Sequence, residues 1–166
     1  MLFRSRAAKD CAALRFAAEA QKASSRHAFR TAFTTDDWRM FSSFCIVTRL
    51  PAGFRVVMPG STDRTLRFVV EGSLSQQSAA VRATAGQPTL LLPGTVLGED
   101  TIFSNEPCEL EVRAVEDSLI LELSLPRRRE LTAACPAIAF ELLRAAGAVI
   151  AARGRAFGER DARATN

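Results

Sequence analysis

The residues best suited to bind a ligand or to react lie in one loop, LPGTVLGEDTIFSNEPCELEVRA, which spans 92–114. A glycine before a short helix lets backbone N–H groups converge on an anion, and Gly98 is placed to do this. The same loop carries the carboxylates of Glu109 and Glu111, which repel a bound anion. It therefore has the outline of a phosphate-binding loop without the positive charge that would select a phosphate.

The thiol of Cys108 is the nucleophile that this loop offers. A thiol near a helix start can have a lowered pKa and act as a redox sensor, but Glu106 and Glu109 beside it raise that pKa. His27 is the only histidine and lies far away in the N-terminal segment. A Cys-His or Ser-His-Asp site and a metal site are both disfavoured, so we predict that the chain is not an enzyme.

The pattern along the chain changes twice, from helix to strand and back to helix. Ala-rich sequence up to about residue 33 favours helix, and Thr34 with Asp37 resembles a capping box before a helix that buries Trp38 and Phe41. From residue 44 short apolar runs alternate with glycine turns, which is typical of a small antiparallel barrel or sandwich. The clearest strand cores are FRVVM, LRFVV, TLLL, LEVRA and SLILELS.

Two helices are predicted after the strands. RRRELTAAC forms the first, and Pro136 stands where the first turn of the second tolerates a proline. The second helix carries one apolar stripe, formed by Ile138, Leu142, Ala145 or Ala146, Val149 and Ala152. Such a stripe packs on a core or pairs with a second copy.

Composition limits the class of protein. The chain has 166 residues, 48% hydrophobic and 24% charged, with a formal net charge of +4, as in one folded domain. No apolar run reaches the length of a membrane-spanning helix, and the start lacks the unbroken apolar region of a signal peptide. The four cysteines have no CxxC spacing, so we expect reduced thiols in a cytoplasmic protein.

The spaced glycines and the order of elements resemble the cyclic nucleotide-binding domain, the sensor module of catabolite-activator-type regulators, kinases and gated channels. The stretch LPAGFRVVMPGSTDRTLRFVVEGSL is similar to the first half of that family, and LLPGTVLGEDTIFSNEP is similar to its phosphate-binding cassette. The resemblance covers about residues 34–155. It implies a jelly-roll with Phe68 in the core and with cAMP or cGMP as the ligand.

The resemblance also assigns roles within the cassette. It implies that Gly98 forms the turn, that Glu99 accepts a ribose hydroxyl, and that an arginine after Pro107 pairs with the cyclic phosphate. This sequence has Cys108 there, followed by acidic and apolar residues, and a neutral thiol offers no bidentate fork to a phosphate. The predicted ligand-binding residues are Gly98, Glu99, Asp100, Cys108, Glu109 and Leu110, and Arg113 is expected on the opposite strand face.

These observations predict a mainly β fold with flanking helices: a double-stranded β-helix (jelly-roll) barrel, N-terminal helices and two C-terminal helices. We assign 1–33 to an N-terminal helical extension, 34–157 to the cyclic nucleotide-binding-like domain and 158–166 to a flexible tail. No helix-turn-helix fits after the last helix, so we expect no direct DNA binding.

The predicted function is that of a non-catalytic regulatory or sensor module for a small-molecule ligand, with weak or lost cyclic nucleotide binding and no certain cofactor. The alternative is a ligand-free dimerisation or docking module, related to cytosolic tails of transporters or channels. Its partner would be another protein or a second copy bound through the C-terminal helix.

Overall fold

The computed structural model describes residues 2–3, 5–23, 28–78 and 87–164. The helices are α1 (Arg6–Lys22), α2 (Thr35–Ser43), α3 (Leu125–Ala134) and α4 (Pro136–Ala164), with a 3₁₀ helix over Glu99–Ile102. The strands are β1 (Leu2–Phe3), β2 (Ile46–Leu50), β3 (Arg55–Val57), β4 (Leu66–Glu71), β5 (Leu74–Ser78), β6 (Thr89–Leu91), β7 (Val96–Leu97), β8 (Leu110–Ala114) and β9 (Ser118–Leu123).

In the described part of the chain the strands form two antiparallel sheets. One has the order β1-β2-β9-β4-β7 and the other the order β3-β8-β5-β6. Consecutive strands along the chain alternate between the sheets at several points, as in a jelly-roll. The predicted jelly-roll with flanking helices is confirmed. Its two sheets are separate layers that are not joined into a closed barrel.

Helix α2 begins as the sequence predicts. The Thr34 hydroxyl accepts a hydrogen bond from the Asp37 N–H at 3.2 Å, and the Asp37 carboxylate accepts one from the Thr34 N–H at 2.8 Å. This reciprocal capping box satisfies two backbone donors at the helix start. It directs Trp38 and Phe41 into the core, where both are buried.

Helix α1 packs into the same hydrophobic core as the five-stranded sheet. Phe16 of α1 contacts Phe68 of β4 edge to face, with ring centroids 5.3 Å apart. Phe29 and Phe41 contact the same Phe68 ring at 5.2 and 5.4 Å. Phe68 thus joins the N-terminal segment, α2 and the five-stranded sheet. Each edge-to-face pair stabilises this junction beyond the gain from burying the rings.

The C-terminal helices also match the predicted pattern. Helix α4 begins at Pro136 and buries Ile138, Leu142, Ala145, Ala146 and Val149 on one face. The helix continues to Ala164, through most of the segment 158–166 that was predicted to be a flexible tail. Residues 165–166 lie outside the described residues, as does His27.

The turn between β6 and β7 requires a glycine because it lies directly against α1. Gly94 has φ 86°, and a Cβ on it would approach the backbone nitrogen of Ala20 to 2.6 Å. Its carbonyl accepts a hydrogen bond from the Phe29 N–H at 2.9 Å. The turn, α1 and the segment after α1 therefore meet at one point.

We expect Gly94→Ala to lower the free energy of unfolding by about 3 kcal/mol, because a left-handed alanine costs about 1 kcal/mol and the backbone clash adds about 2 kcal/mol. Gly53→Ala is the matched control, because Gly53 has a similar φ of 80° but no described residue lies within 4 Å of the position that its Cβ would take. Urea unfolding followed by circular dichroism measures both losses. Equal losses would contradict the close packing of α1 on this turn.

Candidate functional site

A cavity of about 300 Å³ lies between the 3₁₀ helix, the inner face of both sheets and the second half of α4. Its aliphatic wall comes from both sheets and α4, through Val57, Leu97, Leu110, Val112 and Ile150. Its charged wall consists of Asp63, Arg67, Glu99, Asp100 and Arg153. Five of the six predicted ligand-binding residues line this cavity: Gly98, Glu99, Asp100, Cys108 and Leu110.

Gly98 fixes the start of the 3₁₀ helix at the cavity edge. It has φ 83°, and a Cβ there would lie 2.6 Å from the carbonyl oxygen of Thr65. The Thr101 N–H and hydroxyl both donate to the Gly98 carbonyl, at 3.1 and 2.6 Å. The glycine therefore allows the loop to pass close to the start of β4 and places Glu99 inside.

Glu99 is buried, with 1% of its surface exposed, and it forms an ion pair with Arg153 of α4. The Arg153 guanidinium donates to Glu99 Oε1 and also to the Val96 carbonyl, at 3.0 Å for the latter. Burial raises the pKa of Glu99, and the positive charge of Arg153 opposes that rise. The pair links the loop to a helix residue that is 54 positions later in the chain.

Arg67 of β4 is a second guanidinium in the cavity wall, and it was not among the residues predicted for the site. It is 8% exposed and pairs with Asp63 and with Glu122 of β9, the Nε to Oε1 distance to Glu122 being 3.1 Å. Burial alone would raise the pKa of Asp63, but hydrogen bonds from Arg67 and Thr65 lower it below its ordinary value. The one signal in the sequence is an arginine inside an otherwise apolar strand, LRFVV.

Cys108 is half-buried and its backbone is already hydrogen-bonded to the loop before β4. The Cys108 N–H donates to the Ser61 carbonyl at 2.8 Å, and the Cys108 carbonyl accepts from the Gly60 N–H at 2.7 Å. Burial raises the pKa of the thiol, and the charges of Asp100 and Glu109 act in the same direction. A protonated thiol is a poor nucleophile, which argues against a redox switch at this residue.

Side chains beyond Cys108 alternate between the cavity and the outer face of the sheet, as in any strand. Leu110 and Val112 line the cavity, whereas the carboxylate of Glu111 pairs with Arg113 and lies 3.8 Å from Arg55. Arg113 thus faces away from the cavity, as predicted. Glu109 is exposed and lies outside the described lining, so Asp63 and Asp100 supply the acidic charge that was predicted for Glu109 and Glu111.

The cavity has few features of a catalytic or metal centre. Within residues 2–3, 5–23, 28–78 and 87–164, no group of three His, Cys, Asp or Glu side chains is arranged to hold a metal ion. The cysteines that these residues include are free thiols. None of the helices described is long and apolar enough to cross a membrane.

Comparison with solved structures identifies the fold. The chain is similar to a cyclic nucleotide-binding domain from Methylobacillus flagellatus KT, with a TM-score of 0.73 and 15% identity over 91% of this chain and 83% of that one. It is similar to the catabolite activator protein of Thermus thermophilus, with a TM-score of 0.64 and 23% identity over 80% of this chain and 61% of that one.

A third similar structure is the regulatory subunit of a cAMP-independent protein kinase A from Trypanosoma cruzi bound to guanosine. Its TM-score is 0.58 at 15% identity, and the match covers 81% of this chain and 44% of that one. No family model and no curated protein sequence matches the chain. The fold is therefore that of cyclic nucleotide-binding domains, which confirms the resemblance inferred from the spaced glycines.

The buried ion pair predicts a pH-dependent stability effect. Removing one partner of a buried pair costs about 3 kcal/mol or more, so Arg153→Gln should lower the free energy of unfolding by about that amount at pH 7. The pKa of Glu99 is higher in the folded chain than in the unfolded chain, so folded-state stability falls as pH rises through that pKa. Without Arg153 the pKa of Glu99 rises further, so this fall extends to higher pH, and the loss caused by the substitution should be smaller at pH 5 than at pH 7.

Arg39→Gln is the control, because the Arg39–Asp36 pair is exposed and should contribute less than about 1 kcal/mol at either pH. Urea unfolding at both pH values gives the comparison. An Arg153→Gln loss that is the same at pH 5 and pH 7 would mean that Arg153 stabilises the chain through packing alone.

Proposed function

We propose that this chain is a non-catalytic regulatory module with the fold of a cyclic nucleotide-binding domain and with weak or lost affinity for cAMP and cGMP. The observation that supports the proposal is that the cavity wall has no guanidinium free to bind a phosphate among the side chains described. A neutral thiol, Cys108, stands where the resemblance places the phosphate-binding arginine, and the guanidiniums of Arg67 and Arg153 are engaged by carboxylates.

The energetic consequence for a cyclic phosphate is large. Loss of one partner of a buried hydrogen-bonded charge pair costs about 2 to 5 kcal/mol, which is roughly thirty-fold to several thousand-fold in affinity. Recruiting Arg67 instead would require breaking its contacts with Asp63 and Glu122. The acidic side chains in the wall add repulsion to that cost.

The output of the module is helix α4. Its buried face packs on the core, and its Arg153 holds the loop that contains Glu99. A ligand or partner that moves the loop at Glu99 would therefore also move α4, through Arg153. Other proteins with this fold are regulators, such as the Thermus thermophilus catabolite activator protein, which supports a regulatory use here.

Calorimetry with cAMP, cGMP and cyclic di-GMP tests the proposal on the wild-type chain. We expect no heat of stoichiometric binding below about millimolar ligand. We further expect Cys108→Arg to raise the affinity for cAMP at least about tenfold, because it restores a guanidinium to the cavity wall. Cys11→Arg is the matched control, since it adds the same charge at an exposed position of α1. Tight binding of cAMP by the wild-type chain would contradict the proposal.

The alternative use, a dimerisation module, is favoured by one surface on α4. Phe140 is 70% exposed and Leu143 40%, and Gly147 and Ala151 continue that face at spacings of four residues. Small residues allow a second helix to approach closely, and a two-fold axis would place this face against itself. The occupant that we propose for it is a second copy of the chain.

Sedimentation velocity over a range of concentrations tests this alternative. If α4 pairs with a second copy, the wild-type chain forms a dimer, and Phe140→Glu weakens the dimer at least about tenfold because it buries a charge at the interface. Arg39→Glu, on the exposed face of α2, is the control. A wild-type chain that stays monomeric at all concentrations would rule out self-association through this face.

A further inference from the structure

Three arginines lie together outside the cavity, where the start of α3 meets the segment before β4. Leu66 of β4 pairs with Leu123 of β9, and in an antiparallel pair the residues before one strand lie beside the residues after the other. Arg64 precedes β4, and Arg128 and Arg129 follow β9 in the first two turns of α3. We call Arg64, Arg128 and Arg129 the arginine cluster.

The guanidiniums of this cluster contact neutral groups only. Arg64 donates to the carbonyls of Ser104 and Asn105 and to the Asn105 side chain, at 2.7 to 3.2 Å. Arg128 is half-buried, and its Nη1 has no hydrogen-bond partner among the residues that the structure describes. Burial lowers the pKa of Arg128, and the positive charges of Arg64 and Arg129 act in the same direction.

The carboxylates next to the cluster in the chain do not neutralise it. Asp63 pairs with Arg67, and Glu130 pairs with Arg127. None of the ion pairs formed within residues 2–3, 5–23, 28–78 and 87–164 includes a member of the cluster. The first turn of α3 carries no acidic residue, so the positive end of the helix adds to the same field. The surface therefore attracts an anionic partner.

The size of the cluster and its surroundings select the kind of partner. A duplex-binding protein commonly neutralises about six to ten phosphates, and a lipid-binding surface carries about four to eight basic side chains. Three arginines are too few for either, but they suit a short acidic segment of a protein. Phe103 is 60% exposed and directly precedes Ser104, whose carbonyl binds Arg64. Arginine and aromatic side chains are enriched in contact surfaces between proteins.

We propose that the arginine cluster and Phe103 bind an acidic segment of another protein, whose carboxylates face the guanidiniums and whose apolar side chain contacts Phe103. The carboxylates act on the half-buried Arg128 through space, and the exposed Arg129 makes the direct contact. Arg64 also holds Ser104 and Asn105, so the partner binds beside the loop that contains Glu99. The surface lies outside the cavity, and the proposal does not depend on whether a cyclic nucleotide binds there.

Selection of peptides on the full chain tests the proposal. A library of random short peptides is first passed over the double variant Arg128→Gln/Arg129→Gln, which removes peptides that bind elsewhere, and is then selected on the wild-type chain. We expect the selected peptides to contain more Asp and Glu than Lys and Arg, together with a large apolar residue. A selection that yields no peptide, or peptides without the acidic excess, would overturn the proposal.

Fluorescence anisotropy with the best selected peptide gives a readout at positions that the selection does not alter. Arg64→Gln and Phe103→Ala should each weaken binding at least about fivefold, because each removes one contact with the peptide. Arg129→Lys keeps the charge and should stay within about threefold of the wild-type chain. Arg39→Gln, at an exposed pair on α2, is the control and should bind as the wild-type chain does. Unchanged binding in both Arg64→Gln and Phe103→Ala would contradict the proposed surface.

Other partners are separate outcomes of the test. Co-sedimentation with phosphatidylserine vesicles, titration with a DNA duplex, and sedimentation velocity of the chain alone examine a membrane, a nucleic acid and a second copy. If the wild-type chain binds one of these more tightly than the best peptide and the double variant does not, the assignment to an acidic protein segment is wrong. If the peptides bind as expected and cAMP also binds tightly, the proposed function is wrong and this proposal stands.

Discussion

The ion pair between Glu99 and Arg153 is the interaction on which the site depends. It buries a carboxylate at the floor of the loop and joins that loop to the closing helix, with a further hydrogen bond from Arg153 to the Val96 carbonyl. Burying two charges is costly unless geometry and additional hydrogen bonds compensate for the lost hydration. Because Arg153 is on α4, moving α4 away from the cavity would break this pair and leave Glu99 buried without its positive partner.

The rest of the fold holds both ends of this pair. The aromatic cluster around Phe68 fixes β4 against α1 and α2, and β4 carries Arg67 into the cavity wall. The left-handed Gly98 brings the loop against the start of the same strand. On the other side, the apolar stripe of α4 packs into the core that contains Phe68. Because these contacts share one strand, the packing of the core sets the distance between the two charges.

The cavity differs from a phosphate site in how its cations are used. Both of its guanidiniums neutralise carboxylates of the protein, and the position after Pro107 holds a protonated thiol. The backbone at Cys108 is also committed, through hydrogen bonds to Gly60 and Ser61. The loop keeps its tight turn at Gly98, whereas each guanidinium in the cavity wall is already paired with a carboxylate of the protein.

Local patterns in the sequence determined much of the fold. The capping box at Thr34, the apolar strand cores, Pro136 and the stripe of α4 depend on short-range rules, so they were predictable, as was the loop with Glu99 and Cys108. The sequence also predicted that Arg113 faces away, because alternation along a strand is local. Only the tertiary structure revealed Arg153, Arg67 and Asp63 in the cavity wall. Those side chains reach the site from α4, from β4 and from the segment before β4, all far from the loop in sequence. No spacing rule records which distant charges the packing of the core brings together.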